Sequence, residues 1–375
     1  MRSSFRLLLL IAFVLPKNTA KSEQLVVPGQ YPEIQFAVDA AEQGDEILVA
    51  PGTYQPFSIN GKSVTVRSAD LTQSVIVDGQ SAQRCLEIYN VSEPGVSIQG
   101  LSFVNGWNVI GSGTVRGGGV FIQDSHVELI DVIIENCRIE RSTGPETPNS
   151  GGGGIFASGS NLNFERVNID NNSALINDGG SSGSRLSGAG LFAESCTASF
   201  VECSVSNNYA FIGTTYGSWH NLYGYGAGAA FFYSSVSAQD SSFSDNDFYL
   251  LNPSSGVAAV GCGGGGISAY ECDSLVLNNC ALQRNSLRVE SSTTYTTNYN
   301  YANGGGLAVN ARSENSGPFL ISGCVIQDNV VNAGMNRPGN SGGCGIEAFR
   351  LAPITIQGTR IENNVVEEGA SGVSY

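Results

Sequence analysis

Charged side chains are scarce in this chain of 375 residues: they make up 14% of it, against roughly 25% in an average protein. Only 18 residues are Lys or Arg and the formal net charge is −15, which disfavours nucleic acid and anionic membrane surfaces as partners. There are only two histidines, His126 and His220, and neither has Cys or His at metal-ligand spacing. We therefore expect no metal site of that kind and no cofactor.

Apolar runs long enough to span a membrane are also missing. The run Leu7–Leu15 is nine residues long, whereas a membrane-spanning helix needs about 20. It follows Arg2 and Arg6 and precedes small polar residues up to Ala20, which is the order of a secretory signal peptide. We expect residues 1–20 to be removed and the mature protein to be secreted or held at the cell surface, without a membrane span.

Glycine, in contrast, is abundant, with 48 residues. Because no Gly-X-Y period is present, collagen is excluded, and because 41% of the residues are hydrophobic, a core can form. The glycines recur in seven short runs: Gly117–Gly119, Gly151–Gly154, Gly188–Gly190, Gly226–Gly228, Gly263–Gly266, Gly304–Gly306 and Gly342–Gly345. A run of this kind returns every 37 residues or so, a period typical of repeat architectures.

A second landmark follows each glycine run. It is Cys137 in the first unit, and in the other six it is an asparagine: Asn172, Asn208, Asn246, Asn285, Asn329 and Asn364. Apolar or small residues lie ten, eight, five and three positions before it, as in Leu162, Phe164, Val167 and Ile169. Spacing of two is the period of a strand, and the break between the pairs marks a corner. No unit can bury its apolar side alone, so the units must stack.

These features predict an all-β fold, a single-stranded right-handed parallel β-helix over residues 25–375. Initial coils would occupy 25–110 and seven repeats 117–375. The asparagines would form a hydrogen-bonded ladder, and the glycines a column where backbones approach closely. Apolar spacing over Pro32–Gln43 predicts a helix that covers the N-terminal end. A β-sandwich would have similar turn signals but not this constant register.

Two segments resemble known families. The Gly-Gly-x-apolar start and apolar-x-x-Asn end of the units resemble the repeats of the polymorphic outer-membrane protein family of bacterial surface autotransporters, and Phe243–Asn246 matches its Phe-x-x-Asn motif. The segment Ile34–Tyr54, which ends in Pro-Gly-Thr-Tyr, is similar to the first coil of pectin-lyase-like β-helix proteins. Together the resemblance covers roughly residues 30–375. It implies a secreted or surface-displayed domain, often linked to adhesion.

Catalytic residues are not evident. β-Helix enzymes that cleave acidic polysaccharides need clustered carboxylates with Arg or Lys, and lyases commonly hold Ca²⁺. The densest carboxylates of the repeats, Asp240, Asp245 and Asp247, flank the strand at Phe243, and we interpret them as solvated. Two Gly-x-Ser-x-Gly matches lie in Gly/Ser loops without a His partner. We therefore favour a protein that is not an enzyme, with a polysaccharide lyase or hydrolase as the alternative.

Cysteines and sequons add two further expectations. Nine cysteines in an exported protein suggest disulfides. Cys280 and Cys324 hold the same position in successive units, and one strand spacing is within the Cα range of a disulfide; stacked reduced thiols are an equal alternative. Asn90 and Asn171 begin glycosylation sequons, which matter only in a eukaryotic secretory pathway.

The variable polar inserts between each landmark and the next glycine run are where we expect function. They leave the solenoid at one corner and should stack on one face, as binding loops of repeat proteins do. Their aromatic residues, set among Ser, Thr, Asn and Gly, would suit an extracellular glycan or protein. These aromatics could instead only anchor the loops, and a purely structural coat protein is a third possibility. The candidate ligand-binding residues are Tyr216, Trp219, Tyr223, Tyr225, Tyr249, Tyr295, Tyr299 and Tyr301, and the inserts also contain Tyr209 and Phe211.

Overall fold

The first regular elements form the N-terminal end of a stack of strands. The computed structural model describes residues 22–111, 113–141, 149–178, 184–214, 222–252, 260–291, 300–313, 316–335, 341–349 and 354–368. One helix, Ile34–Ala40, packs on the first strands through its buried residues Ile34, Ala37 and Val38. These lie at positions i, i+3 and i+4, so they share one face of the helix. All other regular secondary structure in the described ranges consists of β-strands.

Three sheets form the body of the protein, and we number them in the order in which each repeat adds a strand. Sheet 1 contains Phe57–Asn60, Leu86–Tyr89, Val120–Gln123, Ile155–Ser158, Leu191–Glu194, Ala229–Phe232, Ile267–Cys272, Leu307–Ala311 and Ile346–Phe349. Sheet 2 contains Gln24–Val27, Glu46–Val49, Thr65–Ser68, Val96–Gln99, His126–Ile130, Asn161–Glu165, Thr197–Val201, Ser235–Gln239, Ser274–Asn278, Phe319–Ser322 and Ile354–Gln357. Sheet 3 contains Gly52–Tyr54, Val75–Asp78, Leu101–Val104, Ile133–Glu135, Asn168–Asp170, Ser204–Ser206, Ser242–Ser244, Ala281–Gln283, Val325–Gln327 and Arg360–Glu362.

Two further sheets come from the inserts, and we call them together the arm. Sheet 4 contains Trp107–Ile110, Arg138–Arg141, Ser173–Asp178, Tyr209–Thr214, Asp247–Asn252, Ser286–Ser291, Val330–Met335 and Val365–Glu368. Sheet 5 contains Ser150–Gly151, Ser184–Ser187, Leu222–Tyr225, Val260–Gly263, Asn300–Asn303 and Ser341–Gly342. The expectation of polar loops is therefore wrong for the two ends of each insert, which are strands.

All strand pairings in the described ranges are parallel, and each strand pairs with its equivalent in the neighbouring repeats. In sheet 1, for example, Ile155 pairs with Leu191, and Leu191 pairs with Ala229. In sheet 2, Leu162 pairs with Val127 on one side and with Ala198 on the other. The predicted parallel β-solenoid is confirmed.

Sheets 1, 2 and 3 enclose the main core. Along the second repeat, Leu162, Phe164, Val167 and Ile169 are at most 2% exposed, as their spacing from Asn172 predicts. Residues between them point outward because successive side chains of a strand alternate. The body is therefore a column in which each apolar position of one repeat packs on the same position of the next.

The arm has a separate core. Ala174 and Ile176 of sheet 4 face Leu186 of sheet 5, and in the next repeats Ile212 and Leu222 occupy equivalent places. Each arm strand contributes at most two residues to this core, and Ser150–Gly151 contributes none, so a single insert buries little apolar surface. The stacking of several repeats makes the buried area large enough to order these strands.

The asparagine ladder lies at the neck, where each repeat passes from sheet 3 to sheet 4. The Nδ2 atom of Asn172 donates to Oδ1 of Asn208 at 3.1 Å, and that of Asn208 donates to Oδ1 of Asn246 at 3.0 Å. The series continues at 2.8–3.0 Å through Asn285 and Asn329 to Asn364. Each Oδ1 also accepts the backbone N–H of the preceding ladder residue. The ladder thus joins successive repeats at the point where the chain leaves the body.

Candidate functional site

The structure separates the candidate tyrosines. Tyr223 and Tyr225 lie on sheet 5, on the side away from the arm core, and face sheet 1. Tyr249 lies on sheet 4, also on the side away from the arm core, because its neighbours Phe248 and Leu250 fill that core. These residues therefore occupy opposite outer faces of the arm. The inserts leave the body at one corner and stack side by side as expected, but they form two layers of strands, each with its own outward side, so these aromatic side chains do not share one surface.

The side chains of the other candidate ligand-binding residues are not described by the structure. Tyr301 belongs to a strand of sheet 5, where its backbone pairs with Gly261, and its side chain is not among those described. The remaining candidates lie outside the described residues: Tyr216, Trp219, Tyr295 and Tyr299. In the sequence Tyr216 follows the sheet 4 strand Tyr209–Thr214 by two residues.

On the sheet 5 side, the aromatic residues form a third core. Tyr225 is 6% exposed, and its ring centroid lies 5.0 Å from that of Phe232 and 5.2 Å from that of Tyr270. The outward residues Phe156 and Phe192 of sheet 1 continue this stack, 5.4 Å apart and fully buried. Tyr225 therefore anchors the arm to the body, as the anchoring interpretation of the aromatics states.

Arginines cover the same stack. The Cζ atoms of Arg84 and Arg116 lie 4.6 Å from the ring centroids of Phe121 and Phe156. Arg116 also donates to a carboxylate oxygen of Glu194 at 3.3 Å, and burial lowers the pKa of its guanidinium. The ring faces of these phenylalanines and the guanidinium groups of these arginines are occupied by contacts within the protein, so we assign them a structural role.

The outer face of sheet 4 carries a different aromatic surface. Leu175, Phe211, Tyr249 and Arg288 are register partners on four consecutive strands, and we call them the aromatic strip. The first three are half-buried and Arg288 is exposed. The ring centroids of Phe211 and Tyr249 are 5.5 Å apart, and the Cζ of Arg288 lies 5.1 Å from the Tyr249 centroid. The strip presents ring surface outward and has hydrogen-bonded strands on both sides.

Polar groups border the strip. Tyr209 and Asp247 are register partners in the adjacent outward row, and the Oδ1 of Asp247 is buried with no hydrogen-bond partner in the structure. Burial raises the pKa of the Tyr209 hydroxyl, and the charge of Asp247 adds to this. Burial also raises the pKa of Tyr249, assisted by a hydrogen bond to Glu290. Both hydroxyls are therefore protonated at neutral pH and act as hydrogen-bonding groups rather than bases.

The three clustered carboxylates of the sequence do not meet in the structure. Asp240 is exposed at the corner between sheets 2 and 3, and Asp245 forms an ion pair with Arg284 at 2.6 Å. Asp247 points outward from sheet 4. Within the described ranges, no group of three His, Cys, Asp or Glu side chains is placed to hold a metal ion. The same ranges contain no helix of the length and hydropathy needed to cross a bilayer.

Both sequon asparagines lie at exposed corners. Asn90 and Asn171 adopt left-handed backbone angles, with φ of 55° and 54°. Asparagine tolerates this region better than most residues. The Nδ2 of Asn171 donates to the side chain of Asn136 at 2.6 Å, and that of Asn90 to Asn60 at 3.3 Å. Their glycosylation stays a prediction.

All nine cysteines are free thiols in the structure. Cys280 and Cys324 lie stacked in one column as free thiols, and a disulfide between them stays a prediction. The Sγ of Cys324 accepts the backbone N–H of Cys280 at 3.4 Å, and the Sγ of Cys280 donates to the carbonyl of Ala238 at 3.4 Å. In the same column, Ser241 accepts the N–H of Cys203 at 3.0 Å. The thiols thus occupy a position that a hydroxyl fills in other repeats.

A comparison with solved structures finds a likeness in three dimensions. A solved alginate lyase from Paenibacillus sp. str. FPU-7 matches with a TM-score of 0.32 and 12% sequence identity, over 90% of this chain and 99% of the lyase chain. We transfer no residue role from it. No protein-family model and no curated protein matches the chain. The likeness to polymorphic outer-membrane repeats therefore rests on its motifs alone.

Sequence reasoning placed Phe211 and Tyr249 in loops and did not consider Leu175 or Arg288. A signal for the strip was present in the sequence. In the segments after Asn208 and Asn246, inward and outward side chains alternate in the same order. The third residue of each segment is an outward aromatic residue, and the residues on either side of it are small or apolar. Only the register of sheet 4 shows that these positions adjoin.

Proposed function

We propose that this protein is an extracellular binding protein and that the aromatic strip of sheet 4 binds a glycan. The observation that carries the proposal is the pair of half-buried rings, Phe211 and Tyr249, held 5.5 Å apart on consecutive strands. Aromatic rings exposed on a rigid surface supply contact area at a low cost in conformational entropy. Strands fix their positions better than loops would.

The contrast with the other face of the arm supports this assignment. The rings there are packed against one another, and Tyr225 and Phe232 are almost fully buried. On sheet 4 the ring faces point away from the arm core, while Phe248 and Leu250 fill that core. Phe211 and Tyr249 therefore have outward surface that folding does not use, whereas Tyr225 does not.

Export belongs to the proposal as well. Residues 1–20 have the arrangement of a signal peptide, and the repeat motifs resemble those of surface-displayed bacterial proteins. A secreted or cell-surface location would give the strip access to extracellular or cell-wall glycans. Adhesion is the activity that this combination supports best.

Glycan-array binding by the purified protein and by Tyr249→Ala and Phe211→Ala tests the proposal. We expect each substitution to weaken binding by about tenfold, because truncation of an aromatic residue at the centre of a binding surface costs on the order of 1–2 kcal/mol. Tyr223→Ala is the matched control, since Tyr223 is also a half-buried arm tyrosine, stacked with Arg185 at 5.4 Å but on the opposite face. Equal loss in the Tyr223 variant, or binding unaffected by both strip variants, would contradict the proposal.

Enzymatic activity is the alternative outcome of the same preparation. Incubation with alginate and pectin, followed by measurement of unsaturated uronide products and of reducing ends, separates the two functions. A binding protein releases neither. Turnover that disappears on substitution of Asp247 or Tyr209 would replace the binding proposal with a polysaccharide-active one.

A further inference from the structure

The charges around the aromatic strip indicate which class of glycan it takes. We infer that the strip selects a neutral, hydroxyl-rich oligosaccharide and rejects polyuronates. This inference rests on the proposed function and specifies its ligand class. It follows from the charges, the hydrogen-bonding groups and the direction of the strip.

Carboxylates outnumber arginines on the outer face of sheet 4. Among the described side chains of this face, the arginines are Arg138 and Arg288, and the carboxylates are Glu140, Asp247, Glu290 and Glu367. Arg138 is already paired with Glu140 at 2.6 Å. Arg288 lies over the Tyr249 ring, and it is the described arginine of this face that can offset the charges of Asp247 and Glu290. A surface with this excess of negative charge, on a chain of net charge −15, repels a polyanion.

The hydrogen-bonding groups suit hydroxyls. Carboxylate oxygens only accept hydrogen bonds when ionised, so the carboxylates of Asp247 and Glu290 favour a ligand that approaches them with hydroxyl donors over one that presents further carboxylates. The Arg288 guanidinium is only a donor, so it would complement a ring oxygen or a hydroxyl oxygen of the sugar. A neutral sugar offers both kinds of partner within one ring.

The direction of the strip indicates an extended ligand. Its four residues are register partners, so the strip crosses the strands and runs along the solenoid axis. Neighbouring strands are about 4.8 Å apart, which gives a length of about 14 Å from Leu175 to Arg288. A monosaccharide would contact only part of this length, whereas an oligosaccharide lying along the axis contacts all of it.

Calorimetric titration with two sets of oligosaccharides tests the inference. The neutral set contains gluco-, xylo- and manno-oligosaccharides, and the charged set contains oligogalacturonate and oligomannuronate of matched length. At low salt we expect at least one neutral probe to bind at least tenfold more tightly than either uronate. The double variant Asp247→Asn/Glu290→Gln should narrow this ratio, because two repulsive charges are removed without a change of shape. Glu128→Gln, on the outer face of sheet 2, is the control and should leave the ratio unchanged.

The outcomes distinguish this inference from the function on which it rests. Uronate binding as tight as that of the neutral probes, or a ratio that the double variant does not change, overturns the inference while glycan binding stands. Failure of the strip variants to alter binding to any arrayed glycan overturns the proposed function itself. Thermal unfolding of each variant shows whether a loss of binding comes from loss of the fold.

Discussion

Gly228 and Asn246 face each other across the neck of the arm, so closely that a Cβ atom on Gly228 would lie 2.7 Å from Nδ2 of Asn246. Equivalent contacts recur between Gly154 and Asn172 and between Gly190 and Asn208, at 2.9 and 2.8 Å. The glycine run and the ladder asparagine of each repeat are thus in contact in the folded protein. Glycine is required there because the ladder amide fills the volume that a side chain would need.

The substitution Gly228→Ala should therefore destabilise the protein. The added Cβ would also lie 2.6 Å from the carbonyl oxygen of Gly266, so backbone must shift. We expect a decrease of about 1–3 kcal/mol in the free energy of unfolding, measured by urea denaturation. Gly111→Ala is the control, because a Cβ there meets no atom within 4 Å. An unchanged midpoint for Gly228→Ala would show that the neck is looser than the structure indicates.

Removing one ladder amide should be costly. In Asn285→Ala, the Phe243 carbonyl loses its 2.9 Å bond from Nδ2, and the N–H of Asn246 loses its 3.1 Å acceptor. Buried groups left unpaired cost about 1–3 kcal/mol each, so we expect a loss of at least about 3 kcal/mol by chemical denaturation. The exposed Asn163→Ala should change stability by less than about 0.5 kcal/mol. Similar values for the two variants would refute the structural importance of the ladder.

The two faces of the arm should respond differently to loss of a tyrosine. Tyr225→Ala removes a buried ring that packs on Phe232 and Tyr270, and we expect it to cost about 3–5 kcal/mol of stability. Tyr249→Ala removes a half-buried outward ring and should cost much less while weakening glycan binding. Thermal unfolding combined with the array measurement checks this. The reverse pattern would assign the binding surface to sheet 5.

Acid should weaken the protein through exposed ion pairs such as that of Asp131 and Arg166, 2.6 Å apart. The hydrogen bond from Arg166 lowers the pKa of Asp131 below its ordinary 3.8. Its stabilising contribution is therefore complete above that ordinary pKa and is lost as the pH falls through the lower native value. It is at most about 1 kcal/mol because both side chains are partly exposed. Urea midpoints at pH 5 and pH 3 should differ less for Asp131→Asn than for the wild type, and an equal difference in the two proteins would contradict this assignment.

The buried thiols whose pKa is raised should be unreactive until the protein unfolds. Burial raises the pKa of Cys196 to about 11 and that of Cys272 to about 12, so both are protonated at neutral pH. We expect a thiol reagent to modify few cysteines in the native protein and all nine after denaturation without a reductant. A count of seven after denaturation would instead indicate one disulfide, with Cys280 and Cys324 the first pair to examine.

Much of the body could be read from the sequence because its determinants are local. The spacing of Leu162, Phe164, Val167 and Ile169 before Asn172 identifies two short strands and a corner within one repeat. The arm could not be read in this way. Some of its strands carry apolar residues on both faces, as Asp247–Asn252 does, so the pattern within one insert does not show which side is buried until several repeats stack.

The candidate site shows the same division. The sequence by itself determined the period, the glycine and asparagine columns and the presence of aromatics in the inserts, since all of these repeat along the chain. Only the tertiary structure decided that Tyr225 is buried against sheet 1 while Tyr249 lies outward beside Phe211. The physical reason is that lateral neighbours in a parallel solenoid come from strands one repeat away, so strand pairing, and not local pattern, decides which side chains meet.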